Sequence, residues 1–87
     1  MPAQDDSGHD YGRPARWGFA ITPNDFADLP FVTRAIYVGG PGDINVVLLG
    51  KGDTVLLQGV TPGSILPIRA TRVLDTSTTA LGLVGLY

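Results

Sequence analysis

From Trp17 onward the chain alternates short apolar runs with clusters of glycine, proline and small polar residues. Residues 33–38 set Arg34, Ile36 and Val38 on one face and Thr33, Ala35 and Tyr37 on the other, the period of a strand, and stop at Gly39-Gly40-Pro41-Gly42. Residues 43–49 place Ile44, Val46 and Leu48 opposite Asn45, Val47 and Leu49. Both faces are apolar towards the end of that run, which predicts a strand covered on two sides. Gly50-Lys51-Gly52 separates it from residues 53–58, and this three-residue spacing predicts a β-hairpin whose glycines adopt positive φ. After Thr61-Pro62-Gly63, residues 64–74 form one long run with Leu66, Ile68 and Ala70 on one face and Ile65, Pro67, Arg69 and Thr71 on the other. Pro67 has no N–H to give a ladder, so it predicts a sheet edge or a bulge. Residues 75–79 are a polar connection, and residues 80–87 predict a closing strand with Leu81, Leu83 and Tyr87 opposite Val84 and Leu86.

Residues 1–16 have almost nothing to bury and read as a flexible polar arm, so the single β domain is expected to span 17–87. Residues 17–21 turn apolar, and Thr22-Pro23-Asn24-Asp25 predicts a turn or one helical turn ending near Leu29-Pro30. About six short strands with turn signals between them favour an all-β fold, a small antiparallel sandwich or barrel. Composition agrees: all eight acids are Asp, Glu is absent, Lys occurs once, and Gly and Pro together make 19 of 87 residues. That is poor material for helices.

A chain of 87 residues is one domain, near the size that buries only about 60 to 65% of its unfolded surface. Without Cys it has no disulfide and no thiolate metal site to reinforce so small a core, which favours burial against other subunits. Six basic residues against eight acids lack the positive field that nucleic acid requires. No run approaches the roughly 18 apolar residues of a membrane span, and the N-terminal residues do not read as a signal peptide.

Candidate chemistry is thin. His9, the one histidine, falls in the arm, where no partner can hold it in reach for acid-base work. Asp25 and Asp28 form the closest acid pair of the domain; a hard cation needs more converging oxygens, so they read as turn and capping residues. Gly50-Lys51-Gly52-Asp53-Thr54 lacks the Ser or Thr after Lys and the following helix of a phosphate loop, and reads as a hairpin tip. These readings predict no catalytic residue, cofactor or metal. Tyr37 reads as a packing residue and Trp17 as the fastening of the arm to the domain. Arg34, Arg69 and Arg72 sit among apolar neighbours that ought to be covered, and with Trp17, Val47 and Leu49 they are the candidate subunit-interface residues. The competing class is a carbohydrate- or receptor-binding module, with Trp17, Tyr11 and Tyr37 as a sugar platform or Lys51-Gly52-Asp53 as an adhesion tripeptide.

Residues 21–30, Ile21-Thr22-Pro23-Asn24-Asp25-Phe26-Ala27-Asp28-Leu29-Pro30, are followed by Thr33-Arg34-Ala35-Ile36-Tyr37-Val38-Gly39-Gly40 and Pro41-Gly42-Asp43 before a hairpin. Next come Pro62-Gly63-Ser64-Ile65-Leu66-Pro67-Ile68-Arg69 with Val73, and Thr78-Thr79-Ala80 before a short apolar C-terminus. In order and spacing these pieces resemble the spike base family of tailed-phage genomes and gene transfer agents (GTAs) over about residues 19–87. No single piece is specific, and the polar arm and the apolar Val46-Val47-Leu48-Leu49 depart from the family pattern. The resemblance implies a structural virion protein, made in the bacterial cytoplasm and assembled as a pentamer at capsid fivefold vertices. Its partners would be the capsid protein and an outward-projecting spike or fibre.

Overall fold

The β-branched and leucine-rich runs pair into seven strands in a computed structural model that describes residues 14–50 and 52–87. These are β1 (Gly18–Ala20), β2 (Ala35–Tyr37), β3 (Gly42–Leu48), β4 (Thr54–Val60), β5 (Ile65–Leu66), β6 (Ala70–Leu74) and β7 (Val84–Leu86). They form two antiparallel sheets, one of four strands in the order β1-β7-β2-β5 and one of three in the order β4-β3-β6. Ile36 and Val38 from the first sheet's side and Ile44, Val46, Ala70 and Val73 from the second meet in one core, closed by Ile21, Leu29, Ala80 and Leu83. The expected all-β fold is therefore observed, and of the sandwich or barrel it left open the two sheets make a sandwich, with seven strands rather than about six.

Two expectations need correction, and a third is decided between its alternatives. Residues 64–74 are two strands in different sheets, because Pro67 cannot extend a ladder and the chain crosses between the sheets at Pro67-Ile68-Arg69. Thr33 fixes this crossing. Its buried hydroxyl donates to the Ile68 carbonyl at 2.8 Å and accepts from the Ala70 N–H at 3.0 Å. The alternation then slips at a bulge where Val47 pairs with Arg72 and Leu48 with Ala70, so Ala70 and Val73 are both buried.

Of the turn or helical turn expected in residues 22–30, it is the turn that forms. Asn24 accepts its hydrogen bond from the Phe26 N–H at 2.8 Å, an Asx turn, and the segment runs along the outer edge of β6. There the N–H groups of Asn24 and Leu29 donate to the carbonyls of Val73 and Thr71. The closing strand is shorter than expected. Gly82 adopts φ +64 where its Cα lies against Gly39, so the chain turns and Leu81 is exposed while Leu83 is buried. The hairpin is as expected, except that β4 continues to Val60 and only Gly52 of the two tip glycines has positive φ. Lys51, His9, Tyr11 and the arm up to residue 13 lie outside the described residues.

Candidate assembly surfaces

The six candidate interface residues fall into two groups, one on each sheet. Val47 projects from the outer face of β3 beside its register partner Arg72, and the Leu49 N–H donates to the Arg69 carbonyl at 2.9 Å. Leu49 is exposed and Val47, Arg69 and Arg72 are half-buried. On the other sheet, Trp17 exchanges backbone hydrogen bonds with Tyr87, and the Arg34 N–H donates to the Leu86 carbonyl. The exposed Trp17 ring carries the Arg16 guanidinium at 5.8 Å.

Arg72 is engaged within its own chain. Its Nε donates to the Asp28 carboxylate at 2.8 Å and its Nη1 to the Asp25 carbonyl at 3.1 Å. The Asp25 carboxylate accepts from the N–H and the hydroxyl of Thr76 at 2.9 and 2.7 Å. These bonds, the Thr76 N–H first, hold the Asp25 carboxyl below its ordinary value. The two acids thus act as ties, each binding the 24–29 segment to the β6 side of the sandwich. Phe26 stands between them with 91% of its surface exposed.

The outer face of the four-stranded sheet was not visible as a site in the sequence. Register places Ala20, Val84, Tyr37 and Ile65 in one cross-strand row and Gly18, Leu86 and Ala35 in the next. No charged side chain occurs in either row. Tyr37, read as a packing residue, is partly exposed here, at 39%, and Ile65 at 61%. The signal in the sequence was the apolar content of positions opposite the core face: Ala35 and Tyr37 in one run and Ile65 in another. The inner face of the same sheet is closed by Phe19, Phe31 and Tyr87, whose rings cluster with Phe31 and Tyr87 stacked at 4.2 Å. Of the residues proposed for a sugar platform, Trp17 leads into β1 and Tyr37 ends β2, with β7 lying between those strands, and Tyr11 lies outside the described residues.

The whole domain, with both outer faces, has a counterpart among solved structures. A chain from the capsid of a native GTA particle, computed with C5 symmetry, superposes with a TM-score of 0.79 at 36% sequence identity. The match covers 97% of this chain and 100% of that one. The chain belongs to this family of GTA-particle capsid proteins. Family membership makes it a virion structural protein, the coarse class that its sequence implied. No protein-family model and no curated protein matches the chain.

Proposed function

We propose that the chain is a spike base protein, a ring of five copies at the capsid's fivefold vertices that supports an outward-projecting spike or fibre. The observation that carries this reading is the full-length likeness, at 36% identity, to a chain of a capsid computed with C5 symmetry. The physics of the fold supports it. A core of this size has neither disulfide nor covalent tie, and its apolar outer sheet face is uncharged, so association offsets what the single domain lacks. A cyclic arrangement repeats one contact around an axis and leaves that axis clear for a spike. The role is structural and needs no catalysis.

Electron cryomicroscopy of particles made with and without this chain tests the role. Particles made without it should have closed capsids with bare vertices and no spikes, and adding the purified chain should restore density at each vertex. Unchanged vertices, or added density at the tail or over the capsid faces, would refute it.

A further inference from the structure

We infer that Phe26 is the knob of a heterologous contact between copies of this chain, and that its socket is the outer face of the four-stranded sheet of the next copy. The inference deepens the ring reading and rests on it. An aromatic side chain in water is ordinarily mobile or tucked against its own surface. Phe26 is not tucked away: 91% of it is exposed, while the backbone that carries it is held from both sides. Its own N–H is held by Asn24, Asp25 is tied to Thr76, Asp28 to Arg72, and the ends of the segment are bonded to β6 through Asn24 and Leu29. A rigid loop presenting a bare aromatic ring has already met much of the ordering cost of association, and such anchors carry most of the energy of an interface.

The socket is argued from complementarity within the same chain. Val84 and Leu86 stand along the middle of this face on β7, with low ground beside them at Gly18 and Ala20 on β1 and at Ala35 on β2, next to Tyr37 and Ile65, and with no charge to desolvate. A C2 contact would need one patch that matches itself, whereas a ring needs two unlike patches that match each other. Knob and floor are such a pair. The knob stands at the lateral edge of the three-stranded sheet, beside β6, and the floor is the broad outer face of the other sheet. Because an edge and a face are not opposite sides of a sandwich, each docking turns the next copy, which suits a closed ring better than a straight filament. Each of two interfaces takes about 800 Å² from a subunit. Against the chain's 5178 Å² of accessible surface that is a large share, which calls for patches as broad as a sheet face.

Complementation between two variants of the full chain tests this. Phe26→Asp removes the knob and Ile65→Asp spoils the floor, and thermal melts should show both folded, since both positions are largely exposed. By native mass spectrometry at micromolar concentration the wild type should form rings and each variant alone should be monomeric. Mixed in equal amounts, they retain one good knob and one good floor and should give a 1:1 heterodimer that grows no further. If either variant alone keeps the wild-type ring, the contact is elsewhere and the ring reading stands without it. If both are monomeric but no heterodimer forms, the two patches do not face each other. A wild-type chain that stays monomeric, also when capsid particles are added, overturns the inference together with the ring. Should Ile65→Asp melt early, Ala20→Arg on the same exposed face replaces it with the same expectations.

Discussion

The two long sides of this sandwich treat their exposed surface in opposite ways. Along β6 the chain covers itself: residues 24–29 run down the strand's free edge, two N–H groups bond its carbonyls, and Asp25, Asp28, Arg72 and Thr76 tie the segment down. Among the described residues the outer face of the four-stranded sheet has no such cover, and no charged residue breaks its two apolar rows. A bare edge is where strands from other chains add, and proteins blunt it; a bare apolar face is tolerated where something else packs on it. On the proposed ring reading, the polar ties along β6 serve folding, and the bare sheet face, with Phe26 that those ties hold outward, serves assembly.

Neighbouring residues of one strand give the largest expected contrast. Ile36 and Tyr37 both lie on β2, but Ile36 is fully buried and Tyr37 faces outward. Ile36→Ala should cost about 2–5 kcal/mol of stability by denaturant melts. Tyr37→Ala should cost under about 1 kcal/mol in the monomer while weakening association. Equal losses of stability would show that the outer face is part of the core.

A second contrast uses two glycines of the same sheet. A Cβ on Gly85 would meet the Phe19 ring at 2.6–2.9 Å, and that ring cannot yield because Tyr87 and Phe31 pack around it. Gly85→Ala should therefore destabilise by roughly 1–3 kcal/mol. On the outer face a Cβ at Gly18 meets Leu86 and Val84 only at 3.4–3.6 Å, so Gly18→Ala should be close to neutral in a thermal melt.

Smaller effects belong to the covered edge. Asp28→Asn weakens an ion pair that is still partly solvated and should cost about 0.5–1 kcal/mol, with faster hydrogen exchange along residues 24–29. Asp25 has a folded pKa below that of the unfolded chain, so its contribution is complete above the unfolded value of about 3.9 and is lost as pH falls through the lower folded value. In acid titrations monitored by circular dichroism, Asp25→Asn should flatten the limb below that pH. An unchanged limb would mean that the Thr76 bonds do not persist in solution.

Much of the fold was legible because period two is a strong signal where one face is buried. Alternation alone sets Ile36 with Val38 on one face of a strand and Ile44 with Val46 on one face of the next, and all four are core residues. Alternation fails where the backbone departs from the extended form. Pro67 split one apparent strand between two sheets, the bulge opposite Val47 and Leu48 shifted Ala70 and Val73 onto the same face, and the turn at Gly82 separated Leu81 from Leu83. The surfaces were harder to read. Val47 and Leu49 stood out as excess apolar residues, but Phe26 looked like any apolar residue in a turn until its neighbours were seen to be tied down around it. Exposure of a single side chain depends on contacts made some fifty residues away, such as Asp25 with Thr76, and no local pattern carries that information.

The spike-base account depends above all on the chain closing into a ring. Native mass spectrometry of the purified wild-type protein at micromolar concentration reads this directly. The account predicts a discrete species at five times the 9.1 kDa chain mass, with few open intermediates. A folded chain that remains at its monomer mass, with no gain on adding capsid particles, would contradict it.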